Sequence, residues 1–109
     1  MAYRTGKRTF ERCSPIIAIN SRQATVIKGA LTRMMKDADY LLVIVGKKTH
    51  ASEWINWEIN RSKRKDVNLR LVAIKLDKSY KTPNGLLNAG ASFAYSFTQS
   101  AIVQALEKA

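Results

Sequence analysis

The stretch GKKTHASEWINWE, residues 46 to 58, holds the side chains best suited to chemistry. Trp54 and Glu58 are four positions apart, so on a helix they share one face. An indole beside a carboxylate suits a ligand in which a flat ring is joined to a sugar. The ring stacks, while the carboxylate accepts hydroxyl hydrogen bonds or stabilises a developing oxocarbenium ion. Ser52 can cap the helix that carries the pair, and Glu53 in its first turn complements the helix dipole. Free amides at such an N-terminus favour an anion such as a phosphate. Gly46 permits a sharp turn or the close approach of a ligand, and Lys47, Lys48 and Thr49 add positive charge and a hydroxyl. Each residue also has a structural reading. Either Trp54 or Trp57 can be core, and Glu58 can be a solvated helix charge paired with Arg61 at i+3.

Other groups offer less. His50 has no histidine partner, Cys13 is the only cysteine, and the two lack metal-ligand spacing, so no metal is expected and His50 reads as a solvent-facing loop residue. No phosphate-binding glycine loop or nucleophile elbow occurs. The run RSKRK, residues 61 to 65, places cations at a helix C-terminus, where they complement the dipole. No stacking aromatics are interleaved with it, which speaks against a nucleic-acid footprint.

The elements that must position these residues follow from periodicity. SPIIAIN, residues 14 to 20, is a short apolar run opened by a proline and reads as a strand. Val26, Ile27, Ala30, Leu31, Met34 and Ala38 recur at helical spacing, with Ser21 or Thr25 as the cap and Gly29 as a weak point. YLLVIVG, residues 40 to 46, is apolar without alternation up to its glycine, as in a strand covered on both faces of a parallel sheet. A helix from about Ser52 to Lys65, a strand LRLVAIKL at 69 to 76, a loop over 77 to 91, a strand SFAYSF at 92 to 97 and a closing helix capped by Thr98 complete the order. Alternation of this kind predicts an α/β domain, with a mostly parallel sheet of about four strands between helix layers. Ligands of such sheets sit outside the carboxyl ends of the strands, where Gly46 to Ser52 falls.

Length and composition fit one domain: a basic segment over residues 1 to 14, then the α/β domain over 15 to 109. No apolar stretch approaches a membrane span and no secretory leader is evident, so with one cysteine the expected compartment is the cytoplasm. The formal charge of +11 attracts anions of any kind, nucleic acid included, or simply keeps the chain soluble.

The segment DADYLLVIVGKKTHASEWINWEI resembles the bacterial TIR-like domains, relatives of Toll/interleukin-receptor domains that include the sensors of Thoeris antiphage defence. The shared pattern is a buried strand ending in glycine, a threonine-containing loop and a Ser-x-Trp-x-x-x-Glu opening to the next helix. Here these positions are Gly46, Thr49, Ser52, Trp54 and Glu58, within a resemblance that is close over roughly residues 24 to 76. The resemblance implies a flavodoxin-like fold and a site for NAD, a substrate rather than a cofactor. Glu58 would assist cleavage of the nicotinamide–ribose bond, giving ADP-ribose or a cyclic ADP-ribose signal, while Gly46, Thr49, Ser52 and Trp54 would form the pocket. It also implies self-association through TIR–TIR contacts. A non-catalytic interaction module is the alternative reading, and a basic nucleic-acid binder is a third. The family opens with strand, helix and second strand, whereas 13 residues precede SPIIAIN. Either SPIIAIN replaces the first strand, or that strand and helix are absent and RTFERC or a second chain completes the sheet.

Overall fold

A computed structural model of the chain describes residues 2–6, 9–12 and 18–109. Its centre is a five-stranded sheet of order β2-β1-β3-β4-β5. Strand β1 spans Ala2–Gly6, β2 Thr9–Arg12, β3 Tyr40–Val45, β4 Arg70–Lys75 and β5 Ser92–Ala94. β3, β4 and β5 are mutually parallel, with Val43 opposite Ala73 and Ile74 opposite Ala94. β1 runs antiparallel to β3, with Tyr3 opposite Leu42, and antiparallel to β2, with Arg4 opposite Glu11.

The sheet therefore has five strands rather than about four, because the first twelve residues contribute two. β1 and not RTFERC fills the place beside β3; the RTFERC region supplies β2 at the sheet's edge. Within SPIIAIN, residues 14 to 17 lie outside the described residues, and Ala18–Asn20 belong to a turn leading into the first helix. That turn closes with Ser21 N–H donating to the Ala18 carbonyl at 3.1 Å.

Helices α1 (Arg22–Lys36), α2 (Glu53–Ser62) and α3 (Gln99–Lys108) make the outer layers. The period-2 alternation of β3 and β4 divides the core between the two faces. Leu41, Val43, Val45, Leu71 and Ala73 point to one face, where Met35 of α1 and Ile55 and Ile59 of α2 cover them. Leu42, Val72, Ile74 and Ala94 point to the other, where Ala105 of α3 packs. The result is the expected three-layer, flavodoxin-like arrangement, with the uninterrupted apolar run of β3 explained by cover on both faces.

Local details differ from the sequence reading in instructive ways. Ser21 occupies the N-cap of α1, but its hydroxyl donates to the Ala18 carbonyl at 2.7 Å instead of accepting from the helix, and Thr25 lies exposed inside the helix. Helix α2 stops at Ser62, whose Oγ donates to the Ile59 carbonyl at 2.7 Å and whose carbonyl accepts from Leu69 N–H at 2.9 Å. These bonds turn the chain toward β4, so Lys63, Arg64 and Lys65 follow the helix. β5 is three residues long because the chain bends from Tyr95 toward Thr98. Thr98 does cap α3, accepting from Ala101 N–H at 3.2 Å.

Candidate functional site at the carboxyl end of the central strand

Strand β3 ends at Val45, and the next residues fold back on it. Gly46 N–H donates to Thr49 Oγ1 at 2.8 Å, and the same hydroxyl donates to the Ile44 carbonyl at 3.3 Å. Thr49 is buried, and its hydroxyl serves the loop. Gly46 itself has no left-handed φ, and a Cβ there would sit in ordinary contact, 3.6 Å from Thr49 Oγ1. The turn does not require glycine at this position; what glycine leaves is room beside the loop.

A short 3₁₀ turn over Thr49–Ala51 leads to Ser52, the N-cap of α2. Ser52 Oγ accepts from Ile55 N–H at 3.3 Å, and Glu53 occupies the first turn as its charge favours. Asn56 adds a tie that the sequence reading missed. Its Nδ2 donates to the carbonyls of His50 at 3.0 Å and Ser52 at 2.9 Å, stapling the loop to the helix. The signal was an amide four residues after a cap serine, within reach of the carbonyls just before the helix. His50 is half-buried rather than solvent-facing, and its Nδ1 is shielded with no hydrogen-bond partner among the described residues.

Trp54 and Glu58 do share one face, the buried stripe of α2 formed with Ile55, Ile59 and Ser62. Trp54 is 7% exposed and packs with Ala24 and Leu31 of α1. It meets Trp57 edge to face, with ring centroids 5.8 Å apart and planes at 81°. Lys28 Nζ lies 5.8 Å from the Trp57 ring centroid, a cation–π contact across the two helices. The indole of Trp54 is thus a wedge between α1 and α2, and the core reading of one tryptophan holds for it.

Glu58 is the unusual member. It is 0% exposed, and neither carboxyl oxygen has a hydrogen-bond partner among the described residues. Its expected neighbour Arg61 instead donates to Asp66, at 2.8 and 2.7 Å. Burial pushes the Glu58 carboxyl up to about 8, because the charged form loses its hydration. Near neutral pH it carries its proton in this closed arrangement. A buried acid without a partner is expensive to the fold, since such groups are normally satisfied. Functional sites are where shifts of this kind concentrate.

The five residues singled out in the sequence are therefore all within one loop–helix unit at the carboxyl end of β3. Gly46, Thr49 and Ser52 build the loop and cap, Trp54 packs inward, and Glu58 is sealed one turn further on. Among the described residues no group of three or more His, Cys, Asp or Glu could hold a metal ion. None of the helices there is long and apolar enough to cross a membrane.

A parallel α/β core, with a loop and helix following its central strand, defines the class as a flavodoxin-like α/β domain. A more particular assignment comes from comparison. The family model for the Thoeris protein ThsB, TIR-like domain, matches residues 7–81, and the chain belongs to that family. Comparison with curated proteins and with solved structures returned no match. The matched segment begins before β2 and runs past β4, so it contains the whole Gly46–Glu58 unit.

Proposed function

We propose that this TIR-like domain binds NAD at the carboxyl end of β3 and cleaves its nicotinamide–ribose bond, with Glu58 as the catalytic carboxylate, in antiphage defence. The observation that supports the proposal is the Glu58 carboxyl, wholly buried and without a partner among the described residues, within the segment that the family model matches. In the reaction the bond between the ribose carbon and the ring nitrogen breaks, and nicotinamide leaves with the electron pair. Positive charge then spreads over the ribose carbon and ring oxygen. An ionised Glu58 stabilises that charge or holds the ribose hydroxyls. Attack by water at the ribose carbon gives ADP-ribose and a proton. Attack by a nucleophile elsewhere in the same molecule gives a cyclised product.

The cationic nicotinamide ring supplies what Glu58 lacks in the closed arrangement. A positive ring beside the carboxyl pulls its pKa down and favours the ionised form when substrate is present. Access of the ring to Glu58 requires Trp54, packed between α1 and α2, to move. Lys47 and Lys48, exposed beside the α2 N-terminus, favour the pyrophosphate.

The test is release of nicotinamide from NAD by the purified protein, with Glu58→Gln as control. Release that disappears in the folded variant supports the proposal. Equal release from both proteins removes Glu58 from the chemistry. Absence of release at high protein concentration favours a second reading, a non-catalytic TIR-like interaction module.

A further inference from the structure

Three side chains form a row across the carboxyl end of the sheet, on the face that α2 covers. Val45 of β3 is in register with Lys75 of β4, and Ile74 of β4 with Ala94 of β5. One step past that second pair, Lys75 stands beside Tyr95. Alternation along the strands puts Val45, Lys75 and Tyr95 on the same face as Val43, Ala73 and Phe93. Val45 is core, Lys75 is a cation, and Tyr95 is an aromatic ring left 55% exposed among the described residues.

Tyr95 is held in place from behind. Its ring centroid lies 6.1 Å from that of Phe93, with the two planes 15° apart. Phe93 in turn is half-buried against the core cluster that includes Ile59, Ala73 and Leu86. The domain thus sets the orientation of the Tyr95 ring. A lone exposed aromatic needs no explanation. A backed one is different when it stands beside a cation, just past the end of a parallel strand, where ligands of such sheets bind. It is a stacking platform for a flat ring that carries negative charge nearby.

We infer that Tyr95 is the platform on which the adenine ring of NAD stacks. The inference rests on the NAD reading of the Glu58 site and extends it to the other end of the substrate. Glu58 shares the face of α2 that Trp54 turns toward α1, whereas Tyr95 lies past β4 at the end of β5. β3 and β5 are two strand spacings apart, about 10 Å, a span that two riboses and a pyrophosphate bridge. With nicotinamide at Glu58 and adenine at Tyr95, the pyrophosphate crosses the carboxyl ends of β3 and β4. Lys47, Lys48 and Lys75 supply countercharge there. Lys75 Nζ donates to the Lys78 carbonyl at 3.2 Å, which holds the ammonium at this end and leaves it further donors for a phosphate.

Binding is tested apart from cleavage, by isothermal titration calorimetry on the full chain with AMP as the probe for the adenine half. The parent should bind AMP, and Tyr95→Ala should weaken that binding roughly tenfold or more, the scale of one base–aromatic stack. Tyr95→Phe keeps the ring and should bind like the parent. Ribose 5-phosphate, which lacks the base, should bind all three proteins equally and more weakly than AMP binds the parent. Because Tyr95 is more than half exposed, both variants should melt close to the parent. In nicotinamide release, Tyr95→Ala should raise the KM for NAD by a similar factor with little change in kcat. The KM for nicotinamide mononucleotide, which has no adenine, should not move. AMP that fails to bind, or that binds Tyr95→Ala as tightly as the parent, overturns the inference. Tyr95-dependent binding of AMP without nicotinamide release supports the adenine site and overturns the cleavage reading. Release that needs Glu58, with a KM for NAD indifferent to Tyr95, does the reverse.

Discussion

Arg61 donates two parallel hydrogen bonds to the carboxylate of Asp66, at 2.8 and 2.7 Å, although Glu58 stands only three residues before it on the same helix. The fork matches the carboxylate edge, and Lys36 adds a weaker ion pair at 3.7 Å. The Arg61 hydrogen bonds hold the Asp66 carboxyl down at about 2. With Asp66 exposed and its charge screened by solvent, the pair contributes little to stability. Its larger consequence is negative: the nearest cation on α2 is engaged away from Glu58, which is left buried with no salt-bridge partner among the described residues.

The first prediction concerns stability against pH. Glu58 has a folded-state pKa near 8, against 4.5 as its ordinary value. Between those values the native state binds more protons than the unfolded state, so stability falls as pH rises through that window and levels off above it. Denaturant titrations of the parent from about pH 5 to about pH 9 should show a loss on the order of a few kcal/mol. Glu58→Gln, which cannot ionise, should lack this slope and be the more stable protein at the alkaline end. Parallel slopes in the two proteins would mean that other groups set the dependence.

The second prediction concerns activity against pH. For NAD cleavage the catalytic form of Glu58 is the carboxylate, and kcat/KM reports the free enzyme. It should therefore rise with pH and flatten above about 8. The profile of kcat should be displaced to lower pH, because the cationic ring of bound NAD favours the ionised carboxyl. Initial rates over a pH series at limiting and saturating NAD separate the two. Coincident profiles would show that the substrate's charge does not reach Glu58.

What the sequence disclosed and what it hid have physical reasons. Helix α1 and strands β3 and β4 were legible because continuous burial imposes a periodicity, and the Ser52 and Thr98 caps because short polar side chains have few other roles before an apolar helix. The antiparallel β1–β2 pair was hidden, because AYRTG and TFER mix charge into the alternation. At the site, the shared face of Trp54 and Glu58 followed from spacing alone. The isolation of Glu58 did not, because Arg61 at i+3 is as compatible with a solvated pair as with the Asp66 fork that forms. Local spacing cannot choose between partners that the turn after α2 brings together.

Thr49 gives the third prediction. Its buried hydroxyl both accepts from Gly46 N–H and donates to the Ile44 carbonyl, closing the loop after β3. Thr49→Val keeps the shape but leaves a donor and an acceptor unsatisfied, at a cost of roughly 1–3 kcal/mol. Thr49→Ser retains both bonds and should lose less, mainly the methyl contact. Thermal melts of the pair test this, and equal losses would show that packing rather than the hydroxyl holds the loop.

Gly85 gives the fourth. It lies in the 3₁₀ turn Asn84–Leu86, pressed against α2, and Lys63 Nζ donates to its carbonyl at 2.9 Å. A Cβ on Gly85 would stand 2.7 Å from Ile59 Cγ2 and 3.0 Å from Asn60 Oδ1. Ile59 is fully buried and cannot yield, so Gly85→Ala should displace the turn or α2, costing about 1–3 kcal/mol. Because Ile59 follows Glu58 directly, displacement of α2 would also move the candidate catalytic carboxyl. Gly29 provides the control, being a helical glycine whose added Cβ would come no closer than 3.7 Å to Arg33 Nη1. Gly29→Ala should stabilise α1 by up to about 1 kcal/mol through helix propensity. Opposite shifts in melting temperature are thus expected from the same chemical change at two sites. A Gly85→Ala protein as stable as the parent would show that the contact with Ile59 relaxes without cost.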